Sequence, residues 1–367
     1  MQVKDIMQAL EELAPTSLKE DWDNVGLQLG DPEASVRRVL LALTPSEAVV
    51  QEAVRLGANL IVSHHPFIFK GVKTLRTDSA IGRMAQCCMK HDVAIYAAHT
   101  NLDIAQGGVN DVLAERLGLV DVRGLVETAS HSRYKFVTFV PPEHLETVKQ
   151  ALFAAGAGAQ GAYDSCAWSA NGTGQFRPLD GAAPFLGAVG KLEQVCETRL
   201  EVLVDASRLG AVLSALHTAH PYEEPAVDVL ENVGSRASEY LGRIGRLPEP
   251  LPFAEWLAQV KQALGLSVVS YAGPTDGVVN RVALCGGSAT DFYSAAIAKG
   301  ADVYVTGDMK YHDAQEAIER GVPMVDVSHF AGERPVLAAL ERVLKARFGD
   351  DLIVTIAENE TNFIQYR

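Results

Sequence analysis

The sequence predicts an α/β protein: two pseudo-symmetric α/β lobes forming one discontinuous domain, interrupted by an inserted α+β, ferredoxin-like domain. Three observations point there. On either side of a central stretch, short apolar runs alternate with helical periods, the pattern of a mainly parallel sheet with helices on its faces. The central stretch changes character, to a β-α-β pattern used twice with antiparallel elements. The two flanking stretches repeat one another without a gap. The boundaries fall at 1–129 for the first lobe, 130–239 for the insert and 240–367 for the second lobe.

Taken in order, Asp5 to Leu13 has Ile6, Leu10 and Leu13 at helical spacing, and Pro15 closes it. Asp21 to Asp31 is rich in turn residues and reads as a tight turn feeding an edge strand. Val39 to Leu43 is a short apolar strand. Thr44-Pro45-Ser46-Glu47 then starts a helix over Ala48–Leu56, and Gly57 stops it. Leu60 to Val62 is a strand that runs into His64-His65-Pro66, where proline prevents regular structure from continuing. Ile81 to Lys90 is a helix, Val93 to Ala98 a strand ending at His99, and Asn110 to Leu117 a helix.

In the insert, Tyr134–Val140 and Arg199–Val204 are strands that each lead into a helix. Tyr163–Ala170 and Gly174–Arg177 are expected to form a hairpin around the turn dipeptide Asn171-Gly172. Val227–Leu230 completes the pattern, and after Leu241–Gly245 and the proline-rich Leu247–Pro252 a second α/β stretch begins.

The repeat is the most informative feature. Arg38-Val39-Leu40-Leu41-Ala42 matches Arg281-Val282-Ala283-Leu284-Cys285, and Gly57 to Ser63 matches Gly300 to Thr306 at the same separation. On that register His64-His65 falls opposite Gly307-Asp308. Val93–His99 matches Pro323–His329, and each terminal histidine is followed four residues later by a carboxylate, Asp103 or Glu333.

Composition bounds the functional class. The 367 residues are 48% hydrophobic with mean hydropathy +0.06, as in a folded globular chain. A net charge of −14 argues against a general nucleic-acid or membrane-surface binder, while leaving room for a local basic pocket. No apolar run reaches the roughly 20 residues of a membrane span. The five cysteines form no disulfide framework or thiolate zinc motif. A soluble protein of a reducing, cytoplasmic compartment is the expectation.

Open α/β sheets bind ligands beyond the carboxyl ends of their strands. Four such ends carry His64 and His65, His99 and Asp103, Gly307 and Asp308, and His329 and Glu333. Several histidines with carboxylates and no cysteine suit zinc, iron or manganese better than calcium. One carboxylate can bridge two such cations, and water held between them is a nucleophile at neutral pH.

Ser63-His64-His65-Pro66-Phe67, His99-Thr100-Asn101-Leu102-Asp103, Thr306-Gly307-Asp308-Met309-Lys310-Tyr311-His312-Asp313-Ala314 and Ser328-His329-Phe330-Ala331-Gly332-Glu333 resemble the motifs of the Nif-three-like family, dinuclear-metal-centre proteins also labelled homologues of type 2 GTP cyclohydrolase I. The Asp21–Gly26 segment resembles that family too, and His220-Pro221-Tyr222-Glu223-Glu224-Pro225-Ala226 resembles the motif of its insert, which is similar to signalling or copper-tolerance trimers. The resemblance implies that His64, His65, Asp103, His329 and Glu333 hold two divalent ions, and that the chain forms a toroidal homohexamer. By the same resemblance His99 is not a ligand; it, Asp308 and His312 are expected around the ligands, in supporting or proton-transfer roles.

The implied activity is hydrolytic opening of the GTP imidazole ring, giving formate and 7,8-dihydroneopterin triphosphate. Two other classes use the same residues: a regulatory metal-binding hexamer acting through partners, and a two-metal phosphoester hydrolase. No Gly-x4-Gly-Lys-Ser/Thr phosphate loop is present, so a nucleotide substrate would be held by other means.

Overall fold

A computed structural model describes residues 1–161 and 163–365. The chain begins with α1 (Val3–Leu13), β1 (Gly26–Leu29), β2 (Arg38–Ala42), α2 (Glu47–Leu56), β3 (Leu60–Ser63), α3 (Ala80–Lys90) and β4 (Ala94–Ala97). Two short helices follow, α4 (Thr100–Ile104) and α5 (Val109–Arg116), before β5 (Val120–Val140). Next come α6 (Leu145–Ala154), β6 (Ala167–Phe176), β7 (Glu193–Asp205), α7 (Leu209–Ala219) and β8 (Val227–Pro252). The remainder is α8 (Phe253–Leu264), β9 (Ser270–Ala272), β10 (Val278–Ser288), α9 (Tyr293–Ala298), β11 (Val303–Gly307) and α10 (Tyr311–Arg320). Last come β12 (Met324–Asp326), α11 (His329–Glu333), α12 (Val336–Phe348) and β13 (Ile353–Ile356).

Two compact units result: residues 1–128 together with the chain from Glu239 onward, and Ala129–Ser238. In the first unit one sheet has the order β1-β4-β3-β2-β13, and β8-β10-β11-β12-β9 follow one another in the second. β2, β3 and β4 are mutually parallel with β1 antiparallel at the edge; β10, β11 and β12 are mutually parallel with β9 antiparallel at the edge. Val39 pairs with Leu60 and Val282 with Val303, so both strand-helix-strand passages keep one register offset.

Buried parallel strands need apolar residues on both faces, and these have them. Val39, Leu41, Leu60 and Val62 pack on α1, α5 and α12, while Leu40, Ile61 and Ile95 pack on α2 and α3. The second sheet divides likewise: Val282, Leu284, Val303 and Val305 face α5 and α8, and Ala283, Tyr304 and Met324 face α9 and α10. Helix α5 serves both sheets, with Val109 and Val112 in one core and Leu113 and Ala114 in the other. Local signals set the boundaries. Ser46 accepts a hydrogen bond from the Val49 N–H at 3.3 Å to cap α2, which ends at Gly57 in the left-handed region.

The second unit holds β6-β7-β5-β8 in that order, with β7 antiparallel to both β5 and β6. Phe136, Val140, Leu200, Val202 and Val204 pack on Val148, Leu152, Val212 and Leu216 of α6 and α7.

One expectation is corrected. Asn171-Gly172 is not a hairpin turn: β6 runs straight through it, with Asn171 opposite Thr198 and Gly172 opposite Glu197. Ten registered pairs with β7 outweigh the local turn preference, and Thr198 Oγ1 donates to Asn171 Oδ1 at 2.8 Å. The proline-rich Leu247–Pro252 forms the end of β8, with Leu251 and Pro252 paired to Val279 and Val278. Pro248, Pro250 and Pro252 alternate, so their missing N–H groups fall on one edge of the strand. Among the described residues no helix is long and apolar enough to cross a membrane.

Candidate metal centre

The sheet ends of the first unit bring seven of the eight sequence-predicted residues together. His64 and His65 leave β3. His99 leaves β4 as the N-cap of α4, and the four-residue spacing sets Asp103 one turn further along. From the second sheet, Asp308 follows β11, while α11 carries His329 and Glu333 on one helical face.

Glu333 is the hub. One of its oxygens, Oε2, lies 3.0 Å from His65 Nε2 and 3.2 Å from His329 Nε2, and Oε1 lies 3.7 Å from His64 Nε2. Asp103 Oδ1 is 3.6 Å from the same His64 nitrogen, and the Nε2 atoms of His65 and His329 are 3.1 Å apart. His64, His65 and His99 form one group able to hold a metal ion, and His65, His329 and Glu333 another.

The far side of each ring is fixed by a neighbour. His64 Nδ1 meets the Ala98 carbonyl at 2.9 Å, which only accepts, so Nδ1 carries the proton and Nε2 presents a lone pair. The Asp308 carboxylate holds His329 Nδ1 at 2.8 Å in the same way. His65 Nδ1 lies 2.7 Å from Thr44 Oγ1, whose backbone N–H donates to Glu360 Oε1 at 2.6 Å. His99 Nδ1 lies 2.9 Å from Asp23 Oδ1, while Asp23 Oδ2 accepts from both the N–H and the hydroxyl of Thr100.

Lone pairs on Nε2 atoms therefore face carboxylates, and acceptors facing acceptors need a proton or a cation between them. His64 Nε2, Asp103 Oδ1 and Glu333 Oε2 are all buried with no hydrogen-bond partner. Protonation shows the same demand. Burial alone would push the His64 imidazole down, yet Asp103 and Glu333 outweigh it and raise it to about 9. His329 is also raised to about 9, because Glu333 and Asp308 outweigh its burial. Burial and the carboxylate of Glu333 push Asp103 up to about 6. Glu333 is held well below the usual carboxylate range, its burial overcome by His64, His329 and His65. His65 is lowered by burial and by its two cationic neighbours.

The backbone is shaped to this arrangement. Asp308 and Ser328 take left-handed conformations, φ +56° and +66°, that non-glycine residues rarely adopt. Gly287, at φ +71°, lies against Glu333, where a Cβ would collide with Oε1.

Sequence reasoning missed two contributors. Asp23, placed in a simple turn, is 6% exposed and holds His99; its burial is overcome by hydrogen bonds from His99 and Thr100, which lower its carboxyl to about 2. Thr44, placed only at a helix start, anchors His65. Neither lies in the histidine-rich motifs, and the internal repeat sets Thr44 opposite Gly287, so no shared residue type flags it. His312 is the residue not brought in. It is exposed at the start of α10, stacks edge-on against Tyr311 and approaches Gln315, because α10 carries it away from the strand end.

A model of the family described as Duf34/NIF3 (NGG1p interacting factor 3) matches residues 1–362. Two curated relatives carry the name GTP cyclohydrolase 1 type 2 homolog. That of Halalkalibacterium halodurans is 41% identical over 352 residues, 95% of each chain; that of Bacillus subtilis is 40% identical over 362 residues, 98% of this chain and 97% of the relative. The crystal structure of a Bacillus cereus protein related to NIF3 superposes with TM-score 0.91 at 40% identity, covering 100% of this chain and 99% of that one.

Proposed function

The chain belongs to the Duf34/NIF3 family, and on that premise we propose that it is a dinuclear metal protein hydrolysing a small molecule, with GTP ring opening to formate and 7,8-dihydroneopterin triphosphate as the reaction. The observation carrying the proposal is the convergence of buried, unpartnered His64 Nε2, Asp103 Oδ1 and Glu333 Oε2 on one spot. In this reading His64, His65, Asp103, His329 and Glu333 hold two divalent ions. Glu333 would be shared between them, its Oε1 lying toward His64 and its Oε2 toward His65 and His329. The like strand order of the two sheets supports pseudo-symmetric lobes, and the β6-β7-β5-β8 order with two helices supports a ferredoxin-like insert. Homohexamer formation rests on the family resemblance and is checked by sedimentation equilibrium.

Bound ions would supply the charge that activates water and polarises the substrate. The chain's own residues supply the rest. Asp23 fixes the ring of His99 through Nδ1, leaving Nε2 to take a proton from the attacking water and pass it to the leaving group. Names of relatives support the choice of GTP. The test is formate release from GTP by protein purified with its native metal. Stoichiometric metal without turnover of GTP or of a nucleotide and phosphoester panel contradicts the hydrolase assignment.

Two further results are expected. Asp308→Ala removes the acceptor that fixes His329 Nδ1–H, and should weaken metal affinity by about 10–100-fold in a chelator competition. Metal affinity should also climb with pH. Raised to about 9 in the metal-free centre, His64 and His329 must lose protons when metal binds. The apparent constant should therefore strengthen from pH 6 toward about 9 and then level off, with proton release measurable by calorimetry in buffers of different ionisation enthalpy. A pH-independent constant contradicts this.

A further inference from the structure

We infer that the insert carries a second ligand site, a pocket for a small organic cation bearing an aromatic or alkyl body, built where the turn 220–226 meets the end of β6. The cavity measures about 290 Å³, near the lower bound of ordinary small-molecule pockets. All its lining lies within Ala129–Ser238, and none of it takes part in the metal centre.

The turn is locked in place. His220 is 7% exposed; its Nδ1 accepts from the Tyr222 N–H at 3.0 Å and its Nε2–H donates to the Phe139 carbonyl at 3.0 Å. With both ring nitrogens used, His220 is structural, and it delivers Tyr222, Glu223 and Glu224 to the cavity wall. The rings of Phe176 and Phe185 each stand 6.2 Å from that of Tyr222, so aromatic faces line the cavity from different parts of the chain.

Charge then selects the ligand. Glu197, Glu223 and Glu224 line the pocket against one basic residue, Arg177. Glu223 is engaged by the Ala183 N–H, but the insert's ion pairs among the described residues use Glu146, Glu201 and Asp205 rather than Glu197 or Glu224. Glu197 is half-buried beside Tyr222 and lies over Gly174, where any Cβ would collide with its carboxylate. An anion is repelled here, and a neutral aromatic body would cover the carboxylates without pairing them. An ammonium group satisfies both components of the wall, pairing with Glu197 while lying against the aromatic faces.

Calorimetric titration of the full metal-loaded protein with phenethylamine, 2-phenylethanol and 3-phenylpropionate tests this. The amine should bind about tenfold or more tighter than the alcohol, the size of a partly desolvated cation–π and carboxylate contact, and the acid should not bind. Glu197→Gln should remove the amine's advantage and leave alcohol binding unchanged; Phe185→Ala should weaken both. Metal content and melting temperature should stay at wild-type values in both variants, separating this site from the metal centre. Absence of amine binding at millimolar concentration overturns the proposal, as does equal binding of the alcohol or an unaffected Glu197→Gln variant. A Phe185→Ala variant with altered subunit number and unaltered amine binding would reassign the pocket to a contact between copies of the chain.

Discussion

Glu333→Ala is expected to lower metal affinity by more than about 100-fold, beyond what loss of an outer partner does, because it removes a carboxylate that faces three imidazoles. Without it, His329 loses the largest favourable influence holding it near 9, and His64 keeps Asp103 but loses its second carboxylate, so both should titrate closer to ordinary histidines. Glu333→Gln keeps the volume but exchanges one acceptor oxygen for a donor amide, and should fall almost as far. Chelator competition gives the affinities, and imidazole NMR titration follows the histidines in the metal-free protein. A Glu333→Ala variant retaining wild-type affinity would remove Glu333 from the centre.

Arg243→Ala should cost about 3 kcal/mol of stability in urea unfolding monitored on the metal-free protein. Arg243, 6% exposed on β8, grips the Asp111 carboxylate with Nε at 2.5 Å and Nη2 at 3.0 Å. It also donates to the carbonyls of Tyr240, Gly242, Ile104 and Ala105. Truncation removes the guanidinium from all of them; Asp111 keeps only the Gly107 N–H and Ala105 the Gly108 N–H, so part of the buried hydrogen bonding is lost outright. Because Ile104 and Ala105 directly follow Asp103, the loss should also loosen that residue and weaken metal binding. Arg243→Lys restores a charge without the planar fork, so it should recover only part of both effects. Equal stability of all three proteins would contradict the bonding pattern.

Much of the site was legible in the sequence because it rests on periodicity. Strand ends, the His-x3-acid spacing and the repeat register are properties of residue type and separation, and His64, His65, His99, Asp103, Asp308, His329 and Glu333 all converge as placed. Legibility failed where long-range contacts decide. Asp23 and Thr44 act through one hydrogen bond each on a histidine distant in sequence; Asp23 lies in the family-like Asp21–Gly26 segment but reads there as a turn residue, and nothing local marks Thr44. Asn171-Gly172 carries a strong turn signal, yet the partner strand that overrides it begins at Glu193, across a loop with no strand pattern of its own. His312 stands in a motif with Asp308, but helix geometry separates the two.

The most direct measurement is metal content per chain, by elemental analysis, in the wild-type protein and in a His64→Ala plus Asp103→Ala variant that keeps its fold by circular dichroism. Two divalent ions in the wild type and loss of metal in the variant are expected. A folded variant that retains the full complement would contradict the assignment of the centre.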